Sequence, residues 1–149
     1  LLRFADCAPV LFFDPVRFVI GIAHAGWRGV VAGVVGATVR TMEARFGCRP
    51  ADLWAGIGPA IGPCCYTVGP EVAEAVKAAC PPGAEVARQT DGRLCLDLPA
   101  AVEAQLRAVG VERIEKAGLC TACHVDEFFS HRAEGGRTGR FGVVMELLR

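Results

Sequence analysis

The sequence has no apolar run approaching the roughly 18 residues of a membrane-spanning helix. Arg17, His24, Trp27-Arg28 and Arg40 interrupt its most hydrophobic third. Net charge is also lacking, with 16 Lys+Arg against 16 Asp+Glu, so the total favours neither nucleic acid nor a membrane surface as partner. No methionine opens the chain, and the basic start, apolar stretch and cleavage site of a signal peptide are missing. Leu1 runs at once into LLRFADCAPVLFFD, which reads as the inside of a structured element and so as an N-terminally truncated chain. No repeat or low-complexity segment is present. Hydrophobic residues, by contrast, make up 52% of the 149, enough for one domain over 1–149 with a real core. The 8 cysteines, in a chain that needs no staples, read as mostly free thiols in a reducing compartment, the cytoplasm.

Apolar runs at 8–13 and 18–23, joined by Asp14-Pro15, predict two strands around a tight turn. Apolar residues at 31, 34, 35, 39, 42 and 46 predict one helix from Val30 to Phe46, ended by Gly47. A strand is expected over Leu53–Ile57, then a shaped loop in GPAIGPCCYTVGP, whose glycines and prolines exclude regular structure. Helices are expected over Glu71–Cys80 and from Asp97, as N-cap, to Val109, with strands over Val111–Ile114 and Phe141–Leu148. This alternation predicts a layered mixed α/β or α+β domain.

Chemistry has several candidate seats. Cys120-Thr121-Ala122-Cys123-His124 matches the C-x-x-C-H spacing of c-type haem attachment, but a strand-rich chain without an export signal does not suit that cofactor, so no haem is expected. A four-cysteine zinc site is disfavoured too: no second C-x-x-C exists, and the adjacent Cys64 and Cys65 do not easily bend onto one ion. Cys7 and His24 flank neighbouring strands, where thiolate and imidazole can face one point and suit zinc or copper. A third ligand is then required, either His124, His131 or a residue upstream of Leu1. The plainer reading is a core thiol and a hydrogen-bonded strand-end histidine. Arg28 follows at the strand-to-helix turn, and Arg132, Arg137 and Arg140 lie in HRAEGGRTGR, offering forked donors for phosphate or carboxylate, though Arg137 reads as a surface charge. Trp27 and Phe128-Phe129 can stack on a base or simply fill core.

Five stretches in order, ADCAPVLFFD, HAGWRGVVAG, GIGPAIGPCCYTVGPEV, DLPAAVEAQLRAVGV and CTACHVDEFFSHRAEGGRTGR, together resemble the YfiH-like family. This family is also called the laccase domain or multicopper polyphenol oxidase family and is associated with purine nucleoside phosphorylase activity. The resemblance covers nearly the whole chain. It implies an α+β fold of mixed β-sheets sandwiched between helices in single-domain, mostly cytoplasmic proteins. It further implies a metal site of two histidines and a cysteine, matched here by Cys7 and His24, with the first histidine upstream of Leu1. Arg28 matches the family's conspicuous arginine. Ser130, Arg132, Thr138 and Arg140 match its FFS-x-R and TGR elements, as substrate or phosphate contacts. A second arginine common in relatives is Ala133 here. CTACH becomes a family stretch whose cysteines are expected to shape the pocket edge.

The implied reaction splits a purine nucleoside, such as adenosine, inosine, guanosine or methylthioadenosine, with phosphate into base and ribose 1-phosphate. Bond breaking makes the sugar cationic and the base anionic, so phosphate must be held near C1′ and charge on the base stabilised. Zinc-dependent adenosine deamination is a second implied activity, with zinc at Cys7 and His24 activating water. It needs a general acid/base; no glutamate adjoins a ligand, although Asp6 does. Three rivals remain: copper-dependent polyphenol oxidation, for which 3 histidines are few; a metal-free cysteine hydrolase using Cys7 with His24 as base; and a catalytically silent partner-binding domain.

Overall fold

In the computed structural model, which describes residues 1–148, the chain opens with a short strand not expected from the sequence, β1 (Leu2–Phe4). β2 (Ala8–Asp14) and β3 (Val19–Ala25) follow as the predicted hairpin, paired antiparallel from Ala8↔Ala25 to Asp14↔Val19. Its turn is closed by Asp14, whose Oδ1 accepts the N–H groups of Val16 (2.8 Å) and Arg17 (2.9 Å).

The single helix expected over Val30–Phe46 is two, α1 (Trp27–Val31) and α2 (Val34–Phe46). Gly33 between them adopts a left-handed φ of 72°, which an α-helix does not continue through. Val35, Val39 and Met42 of the predicted apolar stripe are buried, whereas Val31 and Phe46 are exposed. β4 (Trp54–Ile57) and α3 (Pro70–Ala78) come next, separated by the expected irregular loop. A hairpin unforeseen from the sequence, β5 (Ala87–Thr90) and β6 (Arg93–Leu96), turns at Asp91-Gly92, both at positive φ. α4 (Leu98–Ala108) has the predicted cap, Asp97 accepting the Ala100 N–H at 3.0 Å. β7 (Arg113–Lys116) lies two residues beyond the strand expected at Val111–Ile114, because Val111 is buried in the core instead. The last strand, β8 (Phe141–Val143), is shorter than the predicted Phe141–Leu148; it pairs antiparallel with β1 and ends with that three-residue partner.

The main sheet has the order β3-β2-β4-β7, antiparallel except for the parallel β4–β7 pair. The fold is therefore α+β with mixed pairing. Val10, Phe12, Ala23, Ala55 and Ile57 share one core with Val35, Val39 and Met42 of α2 and Ala101, Val102 and Leu106 of α4. Gln105, buried on α4, donates to the carbonyls of Val30 and Ala79, both at 2.8 Å, and so satisfies the C-terminal ends of α1 and α3. Among the described residues no helix is long and apolar enough to cross a membrane.

Burial alone would raise the pKa of Asp14, but the Arg17 N–H, the Cys48 thiol and the Val16 N–H outweigh it and hold the carboxyl below its ordinary value. A depressed folded-state pKa contributes stability that is present above the unfolded value of about 3.9 and is lost as pH falls through the folded value. Asp14→Ala is expected to lower unfolding free energy by about 1–3 kcal/mol at neutral pH. In denaturant titrations the difference from the parent should shrink as pH falls below about 4; a difference independent of pH would show that the carboxylate charge is not involved.

Candidate functional site

Cys7 immediately precedes β2, and His24 is next to last in β3, so the hairpin register brings them to the same end of the sheet. There the chain between β1 and β2, the start of α1, the 58–69 loop and the C-terminal segment enclose a cavity of about 440 Å³. Cys7, His24 and Arg28 line it, as do Arg132 and Arg140. The structure thus brings these five expected residues together. Trp27 and His131 also reach its wall. Ser130 and Thr138 do not. The Ser130 hydroxyl is fully buried and accepts the Ala133 N–H at 3.1 Å, while Thr138 donates to the Glu134 carboxylate. His124 lies elsewhere too, its Nδ1 2.9 Å from the Cys120 carbonyl.

Local packing explains the placement. A Cβ at Gly26 would come within 2.8 Å of Cys7 Sγ, so only glycine lets the start of α1 pass this close to the thiol. The His24 ring stacks on the fully buried Phe4 (centroids 4.6 Å apart), which packs on Phe141, and Phe141 on Phe128. Phe128 is therefore a support for the imidazole, not a base-stacking platform. Burial pushes the Cys7 thiol up, the Asp6 charge adds to this, and Arg140 opposes it; such a thiol is not the depressed one that a metal-free cysteine nucleophile uses. Burial lowers His24, which favours the neutral ring that serves as a metal ligand.

The guanidinium groups are held in different ways. Arg28 lies over the Trp27 ring, 4.5 Å from its centroid, and forms no ion pair among the described residues. Arg132 lies over the Tyr66 ring at 5.1 Å and donates to Thr67 O at 2.7 Å. Arg140 donates to the carbonyls of Thr138 and Gly139. Arg3, in a strand that no local sequence signal marks, is a fourth arginine on the wall, and Tyr66 is a further lining residue. The lining carries one carboxylate, Asp6, and it is already engaged: Oδ1 accepts from Thr121 Oγ1 (2.8 Å) and Oδ2 from the Arg132 N–H (2.7 Å). Four guanidinium groups against one carboxylate give the described lining an excess of positive charge.

The cysteines of CTACH do not edge this cavity. Their sulfurs gather with those of Cys64 and Cys65, all four atoms within 4.8 Å of one another, a donor set that can bind a metal. The objection to a four-cysteine site from adjacent cysteines fails. The Gly62-Pro63 turn, closed by Cys65 N–H to Gly62 O at 3.1 Å, swings both thiols towards Cys123, each sulfur 3.5 Å from it. Burial pushes Cys64 up to about 11, and Cys65 is raised further from the same first cause. Burial opposes ionisation of Cys120, but N–H groups led by that of Gly62 outweigh it and bring the thiol below its ordinary value.

The domain is thus a mixed-sheet α+β fold with an arginine-lined pocket. The chain belongs to the laccase-like YfiH family: residues 1–148 match the family model described as multi-copper polyphenol oxidoreductase laccase. It is 43% identical over 143 residues to the purine nucleoside phosphorylase YlmD of Geobacillus stearothermophilus, covering 93% of this chain and 52% of that protein. It is 39% identical over 137 residues to the human purine nucleoside phosphorylase LACC1, covering 88% of this chain and 31% of that one. The crystal structure of the Geobacillus YlmD superposes with a TM-score of 0.88, covering 93% of this chain and 53% of that chain. The Bacillus licheniformis protein YfiH superposes at 0.87 with 42% identity, covering 93% and 54%. The chain thus spans about half the length of the bacterial YlmD it matches.

Asp6, at a left-handed φ of 80°, has a third link, its carbonyl accepting the Ile61 N–H at 2.9 Å. Asp6→Ala would leave the Thr121 and Arg132 donors unmet in a buried position. It is expected to cost about 2–4 kcal/mol in denaturant unfolding; a loss below about 0.5 kcal/mol would show that Asp6 does not tie these segments.

Proposed function

We propose that the cavity at Cys7 and His24 is a purine nucleoside phosphorylase site, taking adenosine, inosine, guanosine or methylthioadenosine with phosphate to free base and ribose 1-phosphate. The observation that carries this reading is the convergence on one cavity of a thiol, an imidazole and four arginines, against a single carboxylate that is already hydrogen-bonded. The names of the relatives support it.

Arg28, which forms no ion pair among the described residues, receives phosphate with Arg132, whose guanidinium is held in position by Tyr66 and Thr67, and with Arg140. These charges hold the nucleophile next to C1′ and neutralise it without reorganisation as the glycosidic bond breaks. Trp27 and Tyr66, each with a guanidinium over one ring face, bring the remaining aromatic surface to the wall beside the flat base. Ser130 and Thr138 serve by shaping the turn that carries Arg132 and Arg140: the Ser130 N–H and the Thr138 hydroxyl both donate to Glu134. Cys7 and His24 are zinc donors on adjoining strand ends, and the family resemblance puts the third, a histidine, upstream of Leu1; His131 is a further imidazole on the same wall. Zinc held there supplies a Lewis acid for a developing negative charge. Copper suits the same donors, but the multicopper chemistry of the family description needs more imidazoles than His24 and His131. Adenosine deamination is the weaker reading, since no glutamate reaches the cavity wall and the Asp6 carboxylate is occupied. None of the eight cysteines is paired in a disulfide, which fits action in the cytoplasm.

The full protein is to be incubated with adenosine and with inosine, each with and without phosphate, and the products separated by chromatography. Free base that depends on phosphate, with ribose 1-phosphate as co-product, is expected. Arg28→Ala should lower kcat/KM by about 10- to 100-fold through loss of a charge-assisted contact. Phosphate-independent conversion of adenosine to inosine as the main reaction, or an unchanged product pattern in His24→Ala, would contradict the proposal.

A further inference from the structure

We propose that Cys64, Cys65, Cys120 and Cys123 form a tetrathiolate zinc site, separate from the Cys7/His24 cavity, that fastens the 58–69 loop to the 117–132 segment. The four sulfurs lie within 4.8 Å of one another, with the Cys64–Cys123 and Cys65–Cys123 pairs at 3.5 Å. Four thiolates about 2.3 Å from one tetrahedral zinc would be about 3.8 Å apart. Small side-chain movements therefore convert the observed cluster into a coordination shell. Hydrophobic packing does not account for the convergence, because Cys64 and Cys123 are exposed and both loops are irregular.

The surroundings are those of a metal knuckle. Gly62 N–H donates to Cys120 Sγ at 3.2 Å, the kind of amide bond that stabilises a thiolate ligand. A Cβ at Gly62 would lie in ordinary van der Waals contact with Cys120 Cβ at 3.4 Å and Cys64 Sγ at 3.5 Å, so this glycine packs directly against the cluster. The loops also bond directly through Ala60 N–H to Leu119 O and Thr121 N–H to Ala60 O, each 3.2 Å. On zinc binding, each thiol proton is released as a zinc–sulfur bond forms, with no change of oxidation state.

The consequence for the cavity is positional. Cys65 precedes Tyr66, on which Arg132 stacks, and Cys120 precedes Thr121, which holds Asp6. Zinc at the four thiols would fix two walls of the cavity from behind.

The test is metal content of the full protein, purified untagged under reducing conditions, with both sites separated by mutation. In the double variant Cys7→Ser, His24→Ala, about one zinc per chain should remain. It should disappear in Cys123→Ala and return in Cys123→His, which restores a known three-cysteine, one-histidine ligand set. Cobalt substitution in the same double variant should give the visible ligand-field bands and the thiolate charge-transfer band of tetrahedral coordination. Absence of metal in a folded double variant with four freely titrating thiols would overturn the proposal, as would a Cys64–Cys123 disulfide or iron in place of zinc. These readouts do not use turnover, so they stand whether or not the phosphorylase reading holds.

Discussion

The arrangement of this domain depends on one buried carboxylate. Asp6 sits in a left-handed backbone conformation between β1 and β2, and from there it bonds the 58–69 loop through its carbonyl and the two C-terminal segments through its side chain. The three contacts come from residues 61, 121 and 132, far apart in sequence, and all lie one residue from Cys7. Each oxygen of this buried carboxylate accepts a hydrogen bond, so the one acidic side chain on the described cavity wall is engaged in holding these segments together. Structure and chemistry are thus coupled: the carboxylate that ties the pocket together stands among four arginines, which leave the lining with an excess of positive charge.

A second layer of support is aromatic. Phe128, Phe141 and Phe4 pass contact from the C-terminal segment through the short β1–β8 pair to the His24 ring. On the other side Trp27 and Tyr66 carry Arg28 and Arg132 on their faces. Flat rings orient the imidazole and the guanidinium groups without consuming their hydrogen-bonding capacity. Arg28 and Arg132 are thus held in place by ring stacking, and Arg132 also by its bond to the Thr67 carbonyl.

Much of the site was legible where it depends on local pattern. The alternation around Asp14-Pro15 places Cys7 and His24 on adjoining strands, and the Asp97 cap sets the start of α4. The Asp91-Gly92 dipeptide is itself a hairpin signal, but the polar residues flanking it lack the apolar alternation that marks strands. Gly33 divides a stripe that periodicity alone reads as continuous. Non-local pairing was beyond the pattern: nothing near Leu2 signals Val143, so β1, and Arg3 with it, stayed hidden. The four-thiol cluster failed for the same reason, because its two halves, 58 and 59 residues apart, meet only through the tertiary fold. The family resemblance implies contacts at Arg132 and Arg140, which line the cavity, and equally at Ser130, a residue the fold buries.

The central claim is that phosphate binds among these arginines beside the Cys7 and His24 pair. The most direct measurement is a crystal structure of the full protein with ribose 1-phosphate and a purine base, with anomalous scattering used to locate metal. The expected result is the phosphate group against Arg28 and Arg132 and metal density at Cys7 Sγ and His24. Phosphate bound at another surface, with this cavity holding only water at saturating ligand, would contradict the account.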